Sequence, residues 1–533
     1  MKLTIESMTY GADGLAHADN GKAVFVQGAV AGDTVEAEVV QDGKSFMRAR
    51  TTEILEPSPD RIQPPCPFVG ICGGCSWGNL SRTAQLAAKE QNLRSTLERI
   101  GKFAPEQVDE LVQPICHTKD DWGYRNKIEL EPTVVNGRVR LGMHGVDPSK
   151  IVTVDTCPLF DKRFPKALKS VVGALNYLSG SHDLGLERVG IRASRRTKAL
   201  EVALWTPIGS FPRSQVSRVL ADAAHPTSIV RVMSKGEKKA RRVSKVEMLA
   251  GEGSWTENIA EGQMRLSAPS FFQVNTKGAG ILIELVMEAL DPQEDELAVD
   301  LYCGAGTFTL PLARRCDFVA AVEAYGPAVR DLRRNLEINK LDNVDVIGGD
   351  AVREFPDQDA DVLVVDPPRA GLAPEAIDLI ASTSARDVAY VSCDPATLAR
   401  DLKRFVEEGT FFPVKITPVD LFPQTFHCET VAVLSRKSAS KSFIPVSISP
   451  KDMGLSEEKE QPTYANIRDY VQKTHGMKVS SLYVAQMKAE CGLETQADRS
   501  GDKKQPKCPP EKREAILDAF RHFGLMGEDE TEK

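Results

Sequence analysis

The sequence predicts a multidomain α/β protein with a small N-terminal β-barrel, an α+β central domain, a doubly wound α/β domain in its second half and a helical tail. Three observations carry this prediction. The chain has 533 residues, which at roughly 150 residues per domain is three or four domains. Its first 56 residues alternate apolar and polar positions between glycine turns, the pattern of short strands closed on one core. From residue 280 onward, helical stretches alternate with short apolar runs, the order of a parallel sheet with crossover helices.

Hydrophobic residues make up 41% of the chain and its mean hydropathy is −0.26, which is ordinary for a globular protein and excludes disorder throughout. The N-terminus has no basic region followed by an apolar run, and no apolar stretch approaches the roughly 18 residues of a membrane span. A cytoplasmic protein with no membrane partner is expected, and a monomer. Eleven cysteines, odd in number and unevenly spread, do not resemble a secreted disulfide framework and direct attention to metal or catalytic thiols.

The 67 Lys and Arg against 75 Asp and Glu leave a net charge of −8, which argues against a basic nucleic-acid coat. The average conceals two unlike parts. Residues 1–265 carry 36 Lys and Arg against 31 Asp and Glu, whereas residues 266–437 carry 16 against 28. A basic first part joined to an acidic second is expected where one region grips a polyanion and another does chemistry.

Residues 1–57 are assigned to the barrel, with strands over 22–26, 33–40 and 48–55, turns at Gly11, Gly14, Gly21, Gly28 and Gly32, and an end at Pro57-Ser58-Pro59. Such barrels bind looped RNA or serve as protein-binding and structural modules, and pattern alone leaves both open. Residues 58–265 are assigned to the central domain. A helix is predicted over 81–100, opened by Ser81 as N-cap and closed by Gly101. Strands over 127–134 and 138–143 flank Asn136-Gly137, a strong hairpin turn. The run 235–245 is the densest basic stretch of the chain, readable as a solvated loop or as a phosphate contact. Residues 266–437 hold the doubly wound domain, with strands over 298–302, 318–323, 344–347, 361–366 and 387–392. Residues 438–533 form an appendage: a Ser, Lys and Glu-rich linker to about 461, then helices over 463–474, 480–491 and 510–523.

The chemistry begins at Asp300-Leu301-Tyr302-Cys303-Gly304-Ala305-Gly306-Thr307, a strand ending in a glycine turn that runs into a helix. Gly304 and Gly306 let the backbone approach a ligand at the carboxyl end of a strand, where open sheets bind theirs. Glu323 ends the next strand, placed to accept ribose hydroxyls, and Asp350 ends another, placed for an adenine edge. The turn lacks the GxGxxG spacing of a dinucleotide site. Acidic strand ends around it suit S-adenosylmethionine instead.

Two further strand ends carry Asp366-Pro367-Pro368-Arg369 and Ser392-Cys393-Asp394-Pro395, and a late strand opens with His427-Cys428-Glu429-Thr430-Val431. Free cysteines are usually buried and inert, but Cys393 leaves its strand at a turn across from the Asp-Pro-Pro-Arg loop, a position for a nucleophile. A separate group, Cys66, Cys72 and Cys75 within ten residues, with Cys157 much later, has the makings of a four-thiolate site. Spacing leaves zinc and an iron–sulfur cluster equally open, and it is not the CxxxCxxC of radical S-adenosylmethionine enzymes. Cys116, Cys303, Cys316, Cys428, Cys491 and Cys508 have no such pattern and are read as packing residues.

Cys393 within SCDP, Glu429 within HCET, Asp366 within DPPR and the earlier Ser270-Phe271-Phe272-Gln273-Val274-Asn275 together resemble the RNA uracil-5-methyltransferases, in particular the branch that acts on 23S ribosomal RNA. The likeness covers about 1–437, and the four motifs in this order are highly specific. It implies that the barrel is a TRAM-type RNA-binding domain and that the doubly wound domain is a Rossmann-like methyltransferase domain. It further implies methylation of C5 of a specific 23S uridine, with Cys393 as nucleophile and Glu429 as base. Gln273, Tyr302, Gly304, Thr307, Glu323, Asp350 and Asp366 would hold S-adenosylmethionine. Phe271 would stack in the place of the extruded base, although an aromatic beside apolar residues is more often core, and Arg369 would assist the thiol by its charge. Matched to the family, Cys66, Cys72, Cys75 and Cys157 look like ligands of a [4Fe-4S] cluster.

Three other readings fit the sequence less well. Transfer-RNA uracil methyltransferases generally lack the barrel and the cluster cysteines. RNA cytosine-5 methyltransferases carry Pro-Cys where this chain has Asp366-Pro367-Pro368-Arg369. A non-catalytic RNA-binding iron–sulfur protein would have no need of Cys393, Glu429 and Asp366 together.

Overall fold

The computed structural model describes residues 1–180, 183–236, 242–356, 360–436, 462, 464–477, 479, 481–493 and 508–526. The linker predicted up to about 461 and the middle of the basic run, 237–241, lie outside these residues.

Six strands, Lys2–Thr4, Ser7–Met8, Gly14–His17, Ala23–Gln27, Thr34–Asp42 and Phe46–Glu56, form the N-terminal sheet. The first two are one bent strand. Its start pairs with Thr34, Val35 and Glu36 and its end with Gly14 and Leu15, so the sheet closes on itself and leaves no free edge. Alternate residues, among them Leu3, Val24, Val26, Val35 and Ala49, fill its interior.

The central domain is a seven-stranded sheet in the order Ile151–Thr153, Arg138–His144, Lys127–Val135, Arg188–Ala193, Leu200–Pro207, Ser228–Lys235, Arg242–Gly251. Helices Ala167–Ser179 and Arg213–Ala224 cover one face with Leu168, Val171, Leu175, Val216 and Leu220. The predicted hairpin forms, with Asn136 at φ 50° and Gly137 at φ 71°, the left-handed pair that a two-residue turn requires.

The third sheet has eight strands, in the order Val344–Gly348, Phe318–Glu323, Leu297–Leu301, Val362–Val365, Asp387–Ser392, Glu429–Arg436, Phe411–Asp420, Cys116–His117. The first five are parallel, as the helix–strand alternation predicts. The last chain segment instead returns as an antiparallel hairpin, because the loop 421–428 is too short for a crossover. Both faces are covered: Val362, Val364, Ala389 and Val391 point to one core, Leu363, Val365, Val388 and Tyr390 to the other.

One departure from linear order matters. The helix Arg82–Arg99 forms where predicted, with Ser81 Oγ accepting from Ala84 N–H at 3.2 Å, but its Leu93 and Leu97 sit in the core of the third sheet. Cys116–His117 then pairs with the edge strand at Val419 and Asp420. The chain therefore visits the third sheet before it builds the central domain. The tail helices Tyr464–His475, Ser481–Glu490 and Pro510–His522 share a core around Ile467, Val471, Val484, Ile516 and Phe520. They rest on Leu297, with Arg468 paired to Asp317 at 3.0 Å, at the amino ends of the parallel strands. Among the described residues, no helix is long and apolar enough to cross a membrane.

Candidate active site

Four parallel strands end on one edge of the third sheet, and their last residues and the turns after them deliver Tyr302, Glu323, Asp366 and Cys393 there. The strand Glu429–Arg436 runs the other way, so its first residue reaches the same edge, with Thr430 opposite Ser392. Residues spread over 302–429 thus meet in one crevice.

The glycine turn is built for close approach. Tyr302, Gly304 and Gly306 have φ of 62°, 58° and 102°, and a Cβ on Gly306 would come within 2.7 Å of Leu310 and Leu332 side chains. A left-handed Tyr is strained, a feature concentrated at ligand clamps. The Glu323 carboxylate accepts from Gly304 N–H at 2.9 Å and Tyr325 N–H at 2.6 Å, fixing the turn. Asp300 accepts from Thr309 Oγ1 at 2.6 Å through one oxygen, while its other oxygen is buried without a partner. Gln273, 6% exposed, likewise has an unpartnered buried Oε1. Burial pushes Asp300 up to about 8; burial and then the Glu323 charge push Asp366 up to about 7. Orphaned acceptors and carboxylates crowded around a strained turn fit a ligand bearing hydroxyls and a positive charge, as S-adenosylmethionine does. Thr307 stands half-buried on the same turn. Asp350 is exposed and caps its own turn, accepting from Val352 N–H at 3.1 Å and Arg353 N–H at 3.3 Å.

Cys393 is half-buried. Asp394 after it caps the helix Pro395–Glu408, accepting from Ala396 N–H at 2.9 Å and Thr397 N–H at 3.0 Å, and Pro395 starts that helix. The thiol therefore lies just outside a helix N-terminus, where a thiolate is favoured. Other forces dominate in the crevice: burial, then the Glu429 charge, push it up to about 11, opposed by Arg369. Glu429 is 3% exposed and is pushed up to about 8 by burial and then by Asp366, again opposed by Arg369. Arg369 is exposed and close enough to act on both groups. Cys303 and Cys428 are buried, in keeping with packing roles.

The predicted stacking residue is sharply distinguished from its neighbour: Phe271 is 66% exposed and Phe272 is 4%, the latter packed on Trp255 at 5.8 Å. The loop that presents Phe271 is clamped from two domains. Arg192 of the central sheet donates to the carbonyls of Ser267, at 2.9 Å, and Ser270. Asp331 of the helix Gly326–Asn339 accepts from Ser267 N–H at 2.8 Å, Ser267 Oγ at 2.6 Å and Ser270 Oγ at 2.5 Å. Sequence reading passed over both Arg192 and Asp331, and also Tyr10 of the barrel, whose hydroxyl donates to the Cys393 carbonyl at 3.3 Å. No local pattern marks residues whose partners lie elsewhere in the chain.

Of the cysteines proposed as ligands, Cys75 is pushed up to about 12 by burial and then by the charges of Cys157, Cys66 and Cys72. Gly73 N–H bonds the His144 carbonyl at 2.9 Å, joining the cysteine loop to the central sheet. Gly74 N–H points at Cys72 Sγ at 3.5 Å, and Arg125 lies near enough to lower Cys72, Cys75 and Cys157. Such a donor set, with backbone N–H and a cation facing the sulfurs, fits a thiolate-bound centre. Among the described residues, however, no group of three or more His, Cys, Asp or Glu side chains is arranged so that it could hold a metal ion. The structure thus does not show the four-thiolate site expected from the sequence.

Comparison with known proteins agrees with this geometry. Residues 1–52 match the TRAM domain and residues 256–437 match the tRNA (Uracil-5-)-methyltransferase family. An uncharacterized RNA methyltransferase of Gloeobacter violaceus is 35% identical over 446 residues, covering 81% of this chain and 95% of that one. One of Halalkalibacterium halodurans is 33% identical over 451 residues, covering 82% and 97%. The crystal structure of Pyrococcus abyssi tRNA (uracil-54, C5)-methyltransferase with S-adenosyl-L-homocysteine superposes with a TM-score of 0.63 at 25% identity, covering 81% of this chain and 100% of that one. With the family model matched over residues 256–437 and relatives 33–35% identical over four-fifths of its length, the chain belongs to the RNA uracil-5-methyltransferase family.

Proposed function

We propose that the protein methylates C5 of a uridine in 23S ribosomal RNA through a covalent adduct between Cys393 and C6 of the base. The observation that carries this reading is the placement of Cys393 beside Glu429 at the sheet edge where Asp300, Asp366 and the glycine turn form an acidic cradle. Bound S-adenosylmethionine supplies an electrophilic methyl on a sulfonium; Gln273, Glu323 and Asp366, with Tyr302, Gly304, Thr307 and Asp350, are the residues that would hold it. The residues of the chain do the rest. Addition of the Cys393 thiolate to C6 makes C5 an enolate carbon, which uracil alone does not offer, so one hard step becomes two. C5 takes the methyl, Glu429 accepts the C5 proton, and the electrons of that C–H bond expel the thiolate from C6. Arg369 favours the thiolate and the carboxylate by its charge. Phe271 takes the place of the extruded base, which leaves its stack at a cost of a few kcal/mol.

The 23S assignment rests on the barrel together with the cysteine group. The alternative, a transfer-RNA uridine, is favoured by the likeness to the Pyrococcus abyssi enzyme. Labelled S-adenosylmethionine offered with 23S transcripts and with transfer RNA separates them, with Cys393→Ala as control. The expected result is 5-methyluridine in 23S RNA alone and none with the Ala variant; label in transfer RNA alone overturns the substrate, and full activity of Cys393→Ala overturns the mechanism.

For the four thiols we propose a [4Fe-4S] cluster. Zinc would draw all four sulfurs to about 2.3 Å of one point, whereas each iron of a cluster takes one thiolate, so the sulfurs surround a volume. Its place between the cysteine loop and Cys157 makes it a cross-link of the linker to the central domain. Anaerobically purified protein is expected to contain about four irons with visible absorbance; stoichiometric zinc and no iron would overturn it.

A further inference from the structure

We infer that Tyr10, a residue of the N-terminal barrel, is a positioning residue for the catalytic cysteine, so that the barrel is part of the active-site wall as well as an RNA-binding module. The inference rests on the role proposed above for Cys393. The Tyr10 hydroxyl donates to the Cys393 carbonyl across 383 positions of sequence, at 3.3 Å. The other end of the same peptide unit, Asp394 N–H, donates to Ser392 Oγ at 3.2 Å. The peptide that follows the nucleophile is therefore held at its oxygen by the barrel and at its nitrogen by the strand, and its plane sets where the Cys393 side chain points.

Tyr10 is itself held. Its ring stands edge-on to Phe426, with centroids 5.4 Å apart, and Phe426 stacks obliquely on His427 at 4.2 Å, in the segment that leads to Glu429. The adjacent Gly11 carbonyl accepts from Trp77 Nε1 at 2.9 Å, and Trp77 N–H bonds the Gln424 carbonyl at 3.0 Å. Trp77 is wholly buried among Met8 and Val30 of the barrel, Leu80, and Phe426 of the catalytic domain. One barrel loop thus touches both chemistry-bearing segments, the hydroxyl at Cys393 and the ring beside the approach to Glu429. RNA seated on the barrel would bear on the residue that orients the thiol.

The test uses the full chain with Tyr10→Phe, which removes the hydroxyl and keeps the ring, and Tyr10→Ala, which removes both. Two readouts are taken: the single-turnover methylation rate at saturating RNA, alongside RNA affinity, and the rate at which iodoacetamide alkylates Cys393, followed by mass spectrometry of its peptide. Loss of one neutral hydrogen bond is expected to lower the single-turnover rate about three- to tenfold. RNA affinity in Tyr10→Phe should stay within about twofold, and alkylation of the released thiol should quicken by about twofold or more. Tyr10→Ala should exceed both effects. Wild-type values for Tyr10→Phe in both readouts overturn the inference, as does a fall in RNA affinity with the saturated rate unchanged, which would make Tyr10 an RNA contact. The alkylation arm needs no RNA. If the wild-type protein methylates none of the RNAs offered, the proposed substrate fails while the positioning of Cys393 by Tyr10 is still decided.

Discussion

Ser392 faces Thr430 across the antiparallel seam of the catalytic sheet, and this pairing sets Cys393, one residue beyond, beside Glu429, one residue before. In the proposed mechanism the two groups have opposite tasks, one adding to the base and the other taking its proton. The antiparallel register lets a strand end and a strand start meet at one edge, which five parallel strands alone would not achieve.

Glu429→Gln removes the proton acceptor but keeps the shape of the site. Methylation should fall by a factor on the order of 10² to 10⁴, and the Cys393–RNA adduct should accumulate because the methylated base cannot expel the thiolate. A denaturing gel of enzyme mixed with RNA and S-adenosylmethionine reads this directly; normal turnover without a trapped band refutes the role of Glu429.

The crevice carboxylates couple ligand binding to pH. Glu429, ordinarily at 4.5, is raised to about 8, and Asp366, ordinarily at 3.8, to about 7. A carboxylate raised in the folded state contributes stability that is full below its unfolded value and lost as pH rises through the folded one. The ligand-free protein should therefore lose stability between about pH 5 and 8. A sulfonium cation favours the ionised forms, so S-adenosylmethionine should bind with proton release at pH 7 and bind more tightly at pH 8 than at pH 6. Calorimetry in two buffers of different ionisation enthalpy measures the release, and an enthalpy independent of buffer would contradict it.

Phe271 and Phe272 should behave oppositely. Phe272→Ala opens a cavity beside Trp255 and should destabilise by about 3–5 kcal/mol. Phe271→Ala, on a loop clamped by Arg192 and Asp331, should change stability by less than about 0.5 kcal/mol while lowering RNA turnover about tenfold, the scale of one lost base stack. Urea melts and initial rates on the two variants check both halves.

Asp420 is fully buried and paired with Lys89, also fully buried, and with Arg82; Lys89 additionally donates to the Phe422 carbonyl at 3.0 Å. Asp420→Ala strands a buried ammonium and should cost about 3–5 kcal/mol. It also frees the loop 421–428 that leads to Glu429, so activity below the melting transition should drop as well. A variant as stable as the wild type would show that the pair is dispensable.

Local periodicity was enough to read the closed barrel, the Asn136-Gly137 hairpin, the parallel strands and the glycine turn, because each depends on neighbours within a few residues. The order of the four motifs singles out Cys393, Glu429 and Asp366, which the sheet then brings to one side. The meeting of these residues was decided by the sheet, whose strand order places 302, 323, 366, 393 and 429 on one edge. Asp350 stands two residues beyond the strand Val344–Gly348, and its carboxylate accepts from N–H groups of its own turn, a local bond that strand ends alone do not reveal. Likewise the helix Arg82–Arg99 was legible as a helix, while its place in the catalytic core was not. The clamp of Arg192 and Asp331, the Lys89–Asp420 pair and the Tyr10 contact left no trace in the sequence. Hydrogen bonds and ion pairs between distant segments impose no periodicity on either partner, so only the packed tertiary structure brings them into view.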